Sequence, residues 1–333
     1  MVKINIIKDK KILITGGMGF IGTAVVRMLS KYNQITVADR LDFGIPKELN
    51  LKKENINLIQ TDLAKKTDLF NDISNGLFDA IIHLAALTHI PYCEKYPDFA
   101  YSSNVLSTIN ILSSLPKKCK LLVFSTSSTY APDDKMHDEE TSELKPIDFY
   151  GVTKKHVEDL MNYYSEKKGL EILGVRLANA AGFGETNPKL IGTILQQLHA
   201  GQSFVELGNL TPRRDFININ DIAWVLGRLL YEWPVEESKV EYFNVATGHE
   251  PVSVKELFEK IVLATGKEIE LRTVKSRIRE IDRELLYPNP AKLISLLPDY
   301  KPMEIDDWIS NIVKDPGLRL DNDIEDKIIS PNI

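Results

Sequence analysis

The first half of the chain alternates short apolar runs with longer amphipathic stretches. Lys11 to Ile14, Gln34 to Ala38, Ile56 to Ile59, Asp79 to Leu84, Lys120 to Phe124 and Ile172 to Leu177 predict buried strands. Between them, Phe20 to Lys31 places Ile21, Val25, Met28 and Leu29 at helical spacing. Further helices are predicted over Phe99–Leu115 and Phe149–Lys168, the latter stopped by Gly169. Strands separated by helices predict an α/β fold with a doubly wound parallel sheet. After Gly182 the rhythm changes. Helices at Lys189–Ala200 and Val254–Thr265 are separated by irregular segments rich in Gly, Asn, Pro and charge. We therefore expect a dinucleotide-binding domain over 1–182, with return segments at about 216–247. A smaller mixed α/β lobe should take 183–215 and 248–314, followed by a polar tail over 315–333 that frays from Asp321.

Composition narrows the class. The 333 residues are 43% hydrophobic and 26% charged, with a net charge of −6. The acidic balance argues against nucleic acid as a partner. No apolar run reaches membrane-spanning length, so no membrane partner is expected. The opening Met1-Val2-Lys3-Ile4-Asn5 lacks the apolar stretch of a signal peptide, so a cytoplasmic protein is expected. Cys93 and Cys119 lie in different segments and form no CxxC pair, so neither a metal site nor a disulfide framework is expected.

Candidate chemistry starts at Thr15-Gly16-Gly17-Met18-Gly19-Phe20-Ile21-Gly22, between the first strand and the first helix. Glycines there let the backbone approach a pyrophosphate, and the helix N-terminus offers free N–H groups to it. Asp39 ends the second strand, where a carboxylate accepts from ribose hydroxyls and repels a 2′-phosphate. That favours NAD, although Arg40 beside it suits a 2′-phosphate. Asp62 is a candidate for the adenine edge, or a helix N-cap. Tyr150 and Lys154 share one helical face, so the ammonium can favour the phenolate and fit Tyr150 to take a proton from a sugar hydroxyl. The stretch Ser125-Thr126-Ser127-Ser128-Thr129-Tyr130 follows the fifth strand, where ligands bind in such sheets.

Together these residues resemble the extended short-chain dehydrogenase/reductase family, specifically its NAD-dependent nucleotide-sugar epimerases and dehydratases, UDP-hexose 4-epimerases among them. The resemblance runs from about Lys11 to about Trp308. Besides the residues above it includes His83-Leu84-Ala85-Ala86, Asn104-Val105, Arg176-x-x-Asn179, Arg214-Asp215-Phe216-Ile217 and Tyr242 to Gly248. It implies a Rossmann-type sheet and a cofactor site of Gly16, Gly19, Phe20, Ile21, Gly22, Asp39, Arg40, Asp62, Leu63, Leu84, Ala85, Ala86, Asn104, Tyr150 and Lys154. It implies Tyr150 as base, Lys154 as ribose contact and Thr126 as the catalytic hydroxyl. Thr88, His89, Ser127 and Ser128 would face the sugar. Asn179, Arg214 and a downstream arginine would hold the nucleotide diphosphate. Arg279, from Arg279-x-x-Asp282, is favoured over Arg277.

The dehydratases of that family carry Asp-Glu directly after the catalytic Thr. Here those positions are Ser127 and Ser128, so elimination lacks its acid and base. The resemblance therefore implies epimerisation of a nucleotide sugar, at C4, through hydride transfer and a 4-keto intermediate. The alternatives are a nucleotide-sugar reductase, a C2 or C3 epimerase and, remotely, a non-catalytic NAD-binding protein. It also implies a homodimer formed through the helices at 99–115 and 149–168.

Overall fold

The computed structural model describes residues 5–52, 56–278 and 282–319. The chain opens with β1 (Lys11–Thr15), α1 (Phe20–Leu29), β2 (Gln34–Asp39), β3 (Ile56–Gln60), α2 (Leu69–Ser74) and β4 (Ala80–His83). Next come α3 (Ile90–Lys95) and α4 (Pro97–Tyr101), then a π-helical turn (Ser102–Leu106) that runs into α5 (Ser107–Ser114). They are followed by β5 (Lys120–Thr126), α6 (Phe149–Lys168) and β6 (Ile172–Leu177). The second half adds β7 (Asn179–Ala181), α7 (Leu190–His199), β8 (Phe204–Leu207), β9 (Arg213–Arg214), β10 (Phe216–Asn218), α8 (Ile219–Glu232) and β11 (Val240–Val245). It closes with β12 (Val252–Ser253), α9 (Val254–Thr265), β13 (Glu270–Thr273), β14 (Leu285–Leu286), α10 (Ala291–Leu296) and α11 (Ile305–Lys314).

Seven parallel strands form one sheet in the order β11-β6-β5-β4-β1-β2-β3. This is the expected doubly wound Rossmann arrangement, with its reversal of direction between β1 and β4. Successive side chains of a strand point to opposite faces. Accordingly Ile12, Ile14, Ile82, Leu122, Phe124 and Val175 pack under α1 and α8. Leu13, Ile81, Leu121, Val123 and Ile172 pack on the other face, under α2, α5 and α6. Burial on both faces explains why the strands read as unbroken apolar runs. Gly169 ends α6 in the left-handed region at φ 67°, donating its N–H to the Ser165 carbonyl.

A third core serves the smaller lobe. Ile191, Ile194 and Leu195 of α7, Leu257 and Ile261 of α9, and Trp308 and Ile312 of α11 pack together there. Two details differ from the pattern in the sequence. The helix expected over 99–115 is interrupted at its centre by the π-helical turn, which carries Asn104. Residues 315–319, expected to begin a tail, instead fold back: Gly184 N donates to the Pro316 carbonyl at 2.8 Å and Arg319 N to the Glu185 carbonyl at 3.0 Å. The frayed stretch expected from Asp321 lies outside the described residues.

Candidate active site

The ends of β1, β2, β4, β5 and β6 line one cleft of about 730 Å³, closed on its far side by the smaller lobe. Its first wall is the glycine turn. Gly16 sits at φ 68°, and a Cβ there would lie 2.7 Å from the Ala85 nitrogen. A Cβ on Gly22 would lie 2.2 Å from the Gly16 carbonyl oxygen. Neither position admits a side chain. Gly19 leads into α1 without any side-chain cap, so the first N–H groups of Phe20 and Ile21 face the cleft uncapped. A turn of this shape could hold a dinucleotide pyrophosphate.

Asp39 accepts from Met18 N at 2.9 Å and Leu41 N at 2.7 Å. Burial raises its pKa, against those two backbone hydrogen bonds. Arg40 is turned to Asp42, with Nε 3.0 Å from Oδ2, and its guanidinium lies 4.7 Å over the Phe99 ring. An arginine already matched to a carboxylate is poorly placed to take a 2′-phosphate. Asp62 caps no helix. Its carboxylate accepts from Ala64 N at 3.0 Å, while Asn110 holds the Leu63 carbonyl at 2.9 Å. Asp62, Leu63, Leu84, Ala85 and Ala86 all reach the cleft.

Asn104 does not line it. In the π-helical turn, its side chain accepts from Leu87 N at 2.7 Å and donates to the Leu87 carbonyl at 3.0 Å and to Thr153 Oγ1 at 3.0 Å. Its amide is used up in holding the wall that carries Thr88 and His89. π-Helical turns recur at functional sites because the extra residue re-aims one side chain.

The floor carries Thr126, Tyr150 and Lys154. The Asp148 carboxylate caps α6 by accepting from Gly151 N at 2.7 Å, which starts the helix one residue before Tyr150. A Cβ on Gly151 would sit 2.8 Å from the Ser128 carbonyl oxygen, so the helix and the β5 loop approach closely. Burial pushes the Tyr150 hydroxyl above the usual phenol range, and its hydrogen bond with Thr126 pulls it partly back. Lys154 donates to the Phe124 carbonyl at 2.8 Å. Burial brings its pKa down to about 8. Desolvation therefore dominates both groups, where the spacing alone had suggested that charge attraction would lower the phenol.

A hydrogen-bond chain runs behind this floor. Ala85 N donates to Thr15 Oγ1 at 3.3 Å, and Thr15 Oγ1 lies 2.7 Å from His83 Nδ1. His83 Nε2 lies 3.1 Å from Thr108 Oγ1, which itself donates to the Asn104 carbonyl at 2.7 Å. Thr108 has only one proton, so it accepts from His83 Nε2–H, and Nδ1 accepts from Thr15. His83 is thus neutral, its pKa brought down to about 3 by burial, with the Lys154 charge adding to the effect.

Thr88, His89, Ser128, Asn179 and Arg214 also line the cleft. His89 stacks edge-on against Tyr92 at 4.4 Å. Ser127 reaches the cleft, but its hydroxyl proton is committed to the Leu177 carbonyl at 2.9 Å. Arg214 pairs with Asp282 at 3.0 Å. Arg277 is half-exposed at the cleft rim, whereas Arg279 lies outside the described residues. Three residues escaped the sequence reading. Glu158 is buried against Arg176. Arg283 donates to the Tyr130 carbonyl at 2.6 Å and the Ser128 carbonyl at 2.9 Å, bracing the hydroxyl-rich loop from the lobe side. Arg319 reaches the glycine turn. Only Glu158 left a signal: it lies four residues after Lys154, a charge on the helix face that packs inward.

A doubly wound sheet with a glycine cradle, an acidic second strand and a Tyr-Lys helix defines a dinucleotide-dependent α/β protein of the extended short-chain dehydrogenase/reductase kind. Residues 12–246 match the NAD dependent epimerase/dehydratase family, and the chain belongs to it. Among curated relatives, it is 28% identical over 315 residues to a GDP-6-deoxy-D-talose 4-dehydrogenase of Aggregatibacter actinomycetemcomitans, covering 93% of this chain and 99% of that protein. It is 30% identical over 277 residues to a UDP-glucose 4-epimerase of Lactobacillus helveticus, covering 78% and 83%. Among solved structures, the UDP-glucose 4-epimerase of Thermus thermophilus in complex with NAD superposes with a TM-score of 0.79 at 22% identity, over 91% of this chain and 98% of that one.

Proposed function

We propose that the protein is an NAD-dependent nucleotide-sugar epimerase that inverts C4 through a transient 4-keto sugar. The observation that carries this reading is the meeting of Thr126, Tyr150 and Lys154 on the floor of a cleft whose opposite ends hold a dinucleotide cradle and Arg214. Tyr150 takes the proton of the sugar hydroxyl and returns it after inversion. Burial disfavours the phenolate, so the Lys154 ammonium and the Thr126 hydroxyl must stabilise it. When bound, NAD supplies the hydride acceptor and then the donor at the same carbon. Thr88, His89 and Ser128 face the sugar; Asn179, Arg214 and Arg277 or Arg279 hold the diphosphate.

Ser127 and Ser128 offer no carboxylate for elimination, which favours epimerisation over water loss. The Lactobacillus relative's named activity supports C4. The Aggregatibacter relative favours a second reading, net reduction or oxidation at C4. A panel of UDP-, GDP-, CDP- and dTDP-sugars, incubated with NAD-loaded protein in D2O and followed by NMR, decides between them. Inversion without deuterium at carbon and without net absorbance change at 340 nm is expected (the wavelength of the reduced cofactor). Stoichiometric NAD(P)H consumption with a 4-keto sugar would favour the reductase instead.

A homodimer through α4, α5 and α6 fits the same reading. Tyr101 of α4, Leu106 of the π-helical turn and Tyr163 of α6 present large apolar side chains 41%, 40% and 55% exposed. Sedimentation should give a dimer at micromolar concentration, and monomer alone would count against it.

A further inference from the structure

The last described residues pass behind the glycine turn, and their backbone is fixed there. Besides the hydrogen bonds of Pro316 and Arg319 to the 184–185 loop, Gly317 sits at φ 54° against the Phe183 ring. A Cβ on it would lie 2.2 Å from that ring. Leu318 packs on the lobe core. This anchorage delivers the Arg319 side chain to the start of α1. Nη1 donates to the Met18 carbonyl at 2.9 Å and Nη2 to Thr23 Oγ1 at 3.2 Å. The Thr23 hydroxyl in turn donates to the Gly19 carbonyl at 2.7 Å.

One guanidinium therefore grips both flanks of Gly19, the residue from which the uncapped N–H groups of α1 begin. The Met18 residue is held from two sides: Asp39 accepts from its N–H and Arg319 donates to its carbonyl. Among the described residues no carboxylate lies within ion-pair distance of Arg319, although Asp39, Glu48 and Glu185 attract it from farther away. These carboxylates offset part of its charge, and its firm contacts are the two hydrogen bonds to the turn and α1.

We propose that Arg319 is a cofactor-retaining residue, which slows release of a bound dinucleotide by clamping the turn that cradles its pyrophosphate. The proposal rests on the reading of that turn as the NAD site. An enzyme that restores its cofactor in every cycle gains from keeping it. The same contacts tie the turn to residues 184–185, of which Glu185 lines the cleft.

The test measures NAD release from full-length protein. Wild type, Arg319→Ala, Arg319→Lys and Arg319→Gln are loaded with NAD, freed of excess by desalting and chased with an NAD-trapping dehydrogenase. Release should be faster by about tenfold or more in Arg319→Ala, the loss expected for a charge-assisted hydrogen bond. Arg319→Lys, which cannot grip two acceptors with a planar fork, should fall between. Unchanged release in Arg319→Ala overturns the proposal. Should that variant fail to fold, the Lys and Gln variants decide: faster release in both supports the clamp, and wild-type rates in both overturn it. Failure of the wild type to bind NAD at all would refute the cofactor site itself, a distinct result.

Discussion

Glu158 meets Arg176 at two points, Oε1 to Nε at 3.0 Å and Oε2 to Nη2 at 2.8 Å, with both side chains almost fully buried. The same carboxylate accepts the Ser125 hydroxyl at 2.5 Å, and Arg176 reaches on to Tyr130 Oη at 3.2 Å and the Glu139 carbonyl at 2.9 Å. The pair thus fixes the two residues that bracket the hydroxyl-rich loop. Removing one member strands the other without water. Glu158→Ala should cost about 3–5 kcal/mol of stability in urea unfolding, and Glu158→Met with Arg176→Met together should cost less than either alone. A Glu158→Ala loss below about 1 kcal/mol would mean that the buried charge finds another partner.

Tyr150→Phe removes only the phenol oxygen from the floor of the cleft. Turnover should fall by about two orders of magnitude or more, with NAD affinity nearly unchanged. Equilibrium titration with NAD beside steady-state kinetics separates the two. Loss of NAD binding in this variant would place the reacting group elsewhere.

The strands and the two long helices were legible because their signals are local and repetitive: Ile12 to Ile14 or Leu121 to Val123 can only sit where both faces are covered. The cleft floor was legible because Tyr150 and Lys154 share a helix face. Other features needed the folded chain. The π-helical turn at Ser102–Leu106 leaves the apolar spacing of its helix recognisable while moving Asn104 off the cleft wall. Arg283 and Arg319 act on carbonyls more than a hundred residues away, and a single arginine in a polar segment has no periodicity to betray it. The spacing predicts that Lys154 lowers the phenol of Tyr150, but burial, which no spacing reports, raises it, and only the hydrogen bond with Thr126 pulls it back.

Lys154 should set the alkaline limit of activity. Its pKa in the folded protein is about 8, below the ordinary lysine value, so the ammonium proposed to steady the phenolate is lost as pH rises through that value. A falling limb in kcat/KM near pH 8 is expected. For stability the sign is opposite. Between about 8 and the ordinary value the unfolded chain holds a proton that the folded chain has released, so this residue makes the protein more stable as pH rises. A pH profile flat from about 7 to 9.5 would count against a role for the ammonium.

His83 should contribute to acid sensitivity. Its folded pKa of about 3 lies below the ordinary histidine value, so between the two the unfolded chain binds the extra proton. Stability should therefore fall as pH drops below about 6.5, by at most about 1.4 kcal/mol per pH unit from this one group. His83→Gln should be less stable at neutral pH, through its lost hydrogen bonds, yet show a shallower slope between pH 6 and 4. An unchanged slope would show that His83 charges in the native state.

The edge strand β11 has a consequence for how the protein is made. It docks beside β6 only after the chain has passed through β7 to β10 and α8, and α8 itself supplies Ile222, Val225, Leu226 and Leu229 to the core under the sheet. A growing chain that has just emerged through β6 would expose that edge and leave α1 uncovered. The seven-stranded sheet cannot be completed on the ribosome before the 183–215 segment of the smaller lobe has been synthesised. A fragment cut at Gly182 should therefore aggregate rather than fold, and the two halves of the molecule are bound together by the order of their synthesis.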